Sequence, residues 1–155
     1  MPVEVMTRSA ADNDYLHKDF HGALNIAIEY LHTRFGEGAV REYIRRFARS
    51  YHAPLTRELA SEGLPAMRRY LERIYAAEGG SVRFVPSEDE LTVTVNACPA
   101  VRHIRQSGGQ PARMFAETTR ALFAAVCEGT PFGFRLVEYD DATGHSVMRF
   151  FRRPA

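Results

Sequence analysis

His17 and His21 stand four residues apart in DNDYLHKDFHGALN, the stretch from Asp12 to Asn25, and Asp14 lies three positions before the first of them. Side chains at i and i+4 meet on one helix face, so the two imidazoles could ligate one ion or hold one substrate group. Asp14 could act as a third ligand or orient an imidazole. The intervening Lys18, Asp19 and Phe20 supply no glutamate of the zincin type, and an ammonium beside the pair disfavours a cation. A divalent ion on Asp14, His17 and His21 is therefore a minor alternative, and no other cofactor is implied. The second chemical candidate is a thiol. Cys98 directly precedes Pro99 and the helical pattern AVRHIRQ, which makes it the N-cap. There the positive end of the helix dipole and unpaired backbone N–H groups lower a thiol pKa and can stabilise a developing anion. Arg102 and His103 follow four and five positions on. Cys127 falls at the C-terminal end of its helix, where the dipole opposes a thiolate, and reads as structural.

The elements that must position these groups are legible from periodicity. Asp12 or Asn13 can cap a first helix in which Leu16, Phe20, Leu24, Ile28, Leu31 and Phe35 recur at three and four, ended by Gly36 and Gly38. At about 100° per residue, Asp14, His21 and Asn25 lie just beyond one edge of the apolar arc, with His17 on the edge itself. A second helix from Glu37 carries Val40, Ile44, Phe47, Tyr51 and Leu55 inward, and Pro54 predicts a kink or break near Tyr51 to Ala53, where His52 sits. A third helix starts at Pro65 and stops at Gly79 and Gly80.

The period then changes to two. Val82 and Phe84, the turn SEDE, and Leu91, Val93, Val95 and Ala97 predict an antiparallel hairpin, with Thr92, Thr94, Asn96 and Cys98 on the opposite face of its second strand. A short helix after Cys98 and a long one from Ala112 to Glu128 precede a second hairpin, FGFRLVEY-DDATG-HSVMRFF. The fold class expected is α+β: three N-terminal helices, then two hairpins forming a four-stranded antiparallel sheet, with a short and a long helix between them. The chain reads as one domain of 155 residues with a flexible lead over 1–11.

Composition narrows the function classes. The formal net charge is +1 and acidic residues interleave with the 19 arginines. The stripe Arg41, Arg45, Arg49 is therefore expected to be a solvated helix face and not a nucleic-acid surface. No apolar run is long enough for a membrane span and no secretory leader is visible, so the protein is expected to be cytoplasmic. The sequence contains no nucleophile elbow, P-loop or dinucleotide fingerprint. Asn25, Tyr51, His52, Asn96, Arg102 and His103 are the side chains expected to contact a small-molecule ligand. The apolar N-terminal helices leave room for a homodimer without requiring one.

The run ACPAVRHIR at Ala97 to Arg105, the helix closing on Cys127 and the terminal hairpin after GTPFGF together resemble the L-2-amino-thiazoline-4-carboxylic acid hydrolase-like family, and DYLHKDFHGAL is similar to the opening of a subgroup. The resemblance covers about the last 75 residues. It implies hydrolytic opening of a cyclic amidine at its C=N carbon, a carbon–nitrogen bond other than a peptide, with Cys98 at the position of the family's cysteine. His17 or His21 would then be its acid–base partner and Asp14 the orienting carboxylate. The competing reading is a non-catalytic binding or sensor domain with an aromatic, histidine-lined pocket in which the histidines fix a carboxylate. Everything turns on whether the first helix and Cys98 meet.

Overall fold

The computed structural model describes residues 19–155. The order is α1 (Asp19–Phe35), α2 (Glu37–Tyr51), α3 (Ala53–Glu62), α4 (Leu64–Ala77), β1 (Val82–Pro86), β2 (Glu90–Val95), α5 (Pro99–Gln106), α6 (Glu117–Cys127), β3 (Phe132–Tyr139) and β4 (Ser146–Arg152). The α+β class holds, with helices before the hairpins and helices between them. The count of N-terminal helices is four, however, and the physical reason is the break at His52. Pro54 occupies the first turn of α3, where its missing N–H is one of the helix's unpaired donors anyway, so the chain ends one helix and starts another instead of kinking. The expected caps Asp12 and Asn13 lie outside the described residues.

Two further expectations are corrected. Phe35 is 66% exposed and does not join the buried face of α1, which is carried by Leu24 and Ile28. The long helix begins at Glu117, because Ala112 to Ala116 form turns in which the Phe115 and Glu117 N–H groups donate to the Ala112 and Met114 carbonyls. Ala112, Met114 and Phe115 are nevertheless buried: the apolar run predicted burial correctly and helix wrongly.

The sheet order is β1-β2-β4-β3, all antiparallel, so the two hairpins join through β2 and β4, with Val93 opposite Met148 and Leu91 opposite Phe150. Alternate residues of β2 and β4 are buried, which places Leu91, Val93, Val95, Met148 and Phe150 under the helices. Two apolar clusters result. One joins α3, α4 and α6 to the sheet and contains the ring group Phe123, Phe134 and Phe150, with centroids 5.0–5.5 Å apart. The other joins α1, α2, α5 and the 112–115 turns around Ile28, Val40, Ile44 and Val101. Each wholly buried Ile, Leu or Phe contributes about 1.5–3 kcal/mol, so both clusters fix the positions of the elements at their boundary. Cys98 packs against the second cluster.

Glu117, at the start of α6, is 3% exposed yet ionically matched: Arg120 Nη1 is 2.7 Å from its Oε1 and Arg41 Nε 3.7 Å away. The carboxylate also faces the positive end of its own helix, and it links α2 to α6. Arg41 pairs in addition with Glu37, and Arg45 with Glu128 at 2.9 Å, so two members of the arginine stripe are held by acids of this chain. No helix among the described residues is long and apolar enough to cross a membrane.

Candidate ligand-binding site

The first helix and the Cys98 region do meet, through a residue that periodicity did not single out. Glu78 is the C-cap of α4. Its Oε1 lies 2.9 Å from Nε2 of His21 on α1, and both side chains are largely buried, at 11% and 17% exposure. The His21 ring is also 6.3 Å, edge-on, from that of His103 on α5. Just past Glu78 the chain doubles back, with the Gly80 N–H donating to the Tyr75 carbonyl at 2.7 Å. At Gly80 a Cβ would stand 2.8 Å from Tyr75 Cδ1 and 2.9 Å from Pro99 Cγ. Gly80 therefore fits between the end of α4 and the start of α5 because it has no side chain.

Cys98 is the N-cap of α5, as the sequence predicts, in extended backbone conformation. Its own N–H donates to the Thr143 carbonyl at 3.0 Å. The turn between β3 and β4 thus closes over it, braced by Asp140, whose carboxylate accepts from the Ala142 N–H and the Thr143 hydroxyl. Gly144 in that turn has φ +70°, and a Cβ there would fall 2.3 Å from the Cys98 Cβ. Only glycine fits.

The thiol does not behave as the helix N-terminus alone predicts. Burial pushes its pKa above the ordinary value, and this outweighs the N–H groups of Val101 and Ala100, which pull it down. The Glu78 carboxylate raises it further and the Arg102 guanidinium lowers it slightly. Burial thus works against the thiolate that the helix N-terminus alone would favour. Cys127 is wholly buried and pushed up to about 12 by desolvation, in keeping with a structural role.

Two phenols, Tyr75 and Tyr139, lie near this thiol, and a third, Tyr70, lies near Glu78. Burial drives the Tyr70, Tyr75 and Tyr139 hydroxyls well above the usual phenol range. Cys98 acts electrostatically on Tyr75 and Tyr139, and Glu78 on Tyr70 and Tyr75. None of the three hydroxyls makes a hydrogen bond to any described residue. Among the described residues no side-chain nitrogen or oxygen fully shut off from solvent lacks a partner. Each hydroxyl must therefore reach a space large enough for water. Tyr139 also lines a surface cleft of about 390 Å³ with Arg105, Pro111, Arg113, Phe115 and Asp141, a volume within the range of small-molecule sites. Tyr139 thus lies between this cleft and the Cys98 thiol, which acts on it electrostatically.

The other candidates divide. Arg102 reaches back to the end of α4, where its Nη2 lies 3.4 Å from the carbonyl oxygens of Glu78 and Gly79. Asn25 clamps a loop: its Nδ2 donates to the Gln110 carbonyl at 2.8 Å and its Oδ1 accepts the Ala112 N–H at 2.6 Å. Asn96 closes the base of the first hairpin on the Ser81 hydroxyl at 2.9 Å. All three are engaged in holding backbone or hairpin geometry.

His52, 7% exposed, sits among the rings of Phe47, Tyr51 and Tyr70, with centroids at 5.0–5.8 Å and near-perpendicular planes. Tyr51 itself is 42% exposed. Asp14 and His17 lie outside the described residues. Among the described residues no three His, Cys, Asp or Glu side chains converge as a metal site would require. The groups near Cys98 that the sequence did not single out as candidates are Glu78, Tyr75 and Tyr139. The only signal for Glu78 was its place between the third helical pattern and the Gly79–Gly80 stop, where an acid ordinarily reads as a solvated cap.

No family model matches the sequence, that of the thiazoline-carboxylate hydrolases included, and no curated protein is significantly similar to it. Among solved structures the chain is similar to the phenol-responsive sensory domain of the transcription activator PoxR, crystallised with phenol. The TM-score is 0.50 at 17% identity, over 88% of this chain and 75% of that one. At that identity the likeness is one of fold.

Proposed function

We propose that this chain is a non-catalytic small-molecule-binding domain of the sensory kind, with its ligand held in the cleft that Tyr139 lines beside Cys98. The observation that carries this reading is the cleft of about 390 Å³ that Tyr139 lines, with the buried Cys98 thiol acting electrostatically on that phenol from behind. Apolar rings beside a few hydrogen-bonding groups suit a small, largely apolar molecule with a polar end. The fold shared with a domain that responds to phenol is consistent with that chemistry. Neither a metal nor a cofactor enters this reading.

The hydrolytic alternative implied by the family resemblance needs a Cys98 thiolate and an imidazole positioned as its acid–base partner. Burial opposes the first. His21, the described candidate for the second, is bound to Glu78. Alkylation of Cys98 by iodoacetamide, followed by mass spectrometry across pH, separates the two. The binding reading expects an apparent pKa above the free-thiol value of about 8.5 and slower alkylation when phenol is added. An apparent pKa below about 7, or turnover of a cyclic amidine that Cys98→Ser abolishes, overturns it.

A further inference from the structure

We infer that the Tyr139 cleft selects small aromatic carboxylates, with Arg105 and Arg113 as the groups that recognise the negative end. This rests on the binding function proposed above and specifies its ligand class.

Three segments build the cleft. Arg105 comes from the last turn of α5, Arg113 from the loop that leads to α6, and Tyr139 and Asp141 from the end of β3 and the turn after it. Phe115, 3% exposed, and Pro111 supply apolar surface. The backbone next to Arg113 is fixed, because the Ala112 N–H donates to Asn25 Oδ1 at 2.6 Å and the Gln110 carbonyl accepts from Asn25 Nδ2 at 2.8 Å.

Neither guanidinium is neutralised by contact. Arg105 Nη1 donates to the Gln110 side-chain oxygen at 3.0 Å, and that amide is uncharged. Arg113 makes no hydrogen bond or ion pair with a described residue. Arginines elsewhere, such as Arg45 and Arg152, meet an acid of this chain at 2.9 and 3.0 Å. Asp141 lines the same cleft but pairs with neither arginine, so two positive charges stand against one negative. The neighbouring Asp140 accepts from the Ala142 N–H and the Thr143 hydroxyl, and Arg105 is a lesser influence on it.

A carboxylate only accepts, and a guanidinium presents it with a fork of parallel N–H donors. Tyr139 adds a further donor: burial first, then the Cys98 and Asp141 charges, keep its hydroxyl protonated, and it makes no hydrogen bond to a described residue. An aromatic carboxylate therefore matches both parts of the cleft, its ring the Phe115 and Pro111 surface and its oxygens the three donors. An exposed ion pair contributes up to about fivefold in affinity and a bidentate one more, so two guanidiniums against one opposing carboxylate give an expected preference of about five- to tenfold.

Calorimetric titration of the intact protein at pH 7 with benzoate, its uncharged isostere benzamide, benzylammonium and phenol tests this. The wild type is expected to bind benzoate at least about fivefold tighter than benzamide, and benzylammonium weakest of the three, with the benzoate advantage falling as salt is raised. Arg113→Gln should cut that advantage by about threefold or more, and Asp141→Asn should enlarge it about two- to threefold.

Benzamide bound by the wild type as tightly as benzoate overturns the inference while leaving the binding function standing. So does binding of phenol without benzoate, or an unchanged benzoate preference in a folded Arg113→Gln. The wild-type order of benzoate, benzamide and benzylammonium decides the matter even if a variant fails to fold. Binding of none of the four ligands removes the binding function and the inference together.

Discussion

Acidification should destabilise this protein through one residue more than any other, His52. Its ring is packed edge-on against Phe47, Tyr51 and Tyr70, and desolvation lowers its pKa to about 4 from an ordinary 6.5. The folded state therefore holds a neutral imidazole, while the unfolded state takes up a proton below pH 6.5. Because the unfolded chain binds more protons in that range, stability falls as the pH is lowered through it, and the contribution is complete only above about 6.5. With those two pKa values, linkage removes about 2 kcal/mol between pH 7 and pH 5 and about 3 kcal/mol by pH 4. Losses of that size are a large fraction of a typical domain's stability. The assay is urea unfolding at half-unit steps from pH 7.5 to 4, for wild type and for His52→Phe. The variant keeps a ring in the cluster and removes the titration, so the difference between the two curves isolates His52 from the carboxylates common to both. The reasoning is refuted if the two curves run parallel, or if the His52 ring proton signals titrate near 6.5 in the native protein.

Two further perturbations test the surroundings of Cys98 and of the Tyr139 cleft. Gly144→Ala places a methyl 2.3 Å from the Cys98 Cβ at a backbone φ of +70°. Thermal unfolding should show a loss of at least about 2 kcal/mol, with faster Cys98 alkylation because the closing turn is displaced. Asn25→Ala removes both hydrogen bonds that hold Gln110 and Ala112. It is expected to cost about 1–3 kcal/mol and to raise hydrogen exchange across residues 107–113, with the sheet unaffected.

What could be read in advance divides along a physical line. The two hairpins were legible because period two is imposed locally by the pleat, and Val93 or Met148 must face inward whatever else the chain does. The Cys98 N-cap was legible for the same reason, since a proline at the first helical position is a local signal. Where a tertiary contact decides the outcome, the pattern was silent or misleading. Phe35 carries helical spacing yet projects from the end of α1 into solvent. Residues 112–116 are apolar enough for a helix but are held as turns, with the Ala112 N–H taken by Asn25, 87 positions away. Asn25 was identified as a polar group at the edge of a buried face, which it is. That it holds the backbone of Gln110 and Ala112 could be known only once α1 lay against the loop.

The same distinction governs the site. A helix N-terminus lowers a thiol pKa only to the extent that water or donors solvate the anion, and desolvation acts in the opposite direction. Local sequence specified the dipole at Cys98. Burial came from elements distant in the chain: the β3–β4 turn on one side, and Tyr75 with the end of α4 on the other. At the sulfur, desolvation is the largest influence, and Glu78, twenty positions earlier, reinforces it. An arrangement that by local sequence suggests an activated nucleophile is therefore opposed, once its neighbours are in place, by the burial and the carboxylate they bring to the sulfur. The helix N-terminus and its surroundings pull the thiol in opposite directions, and the surroundings prevail.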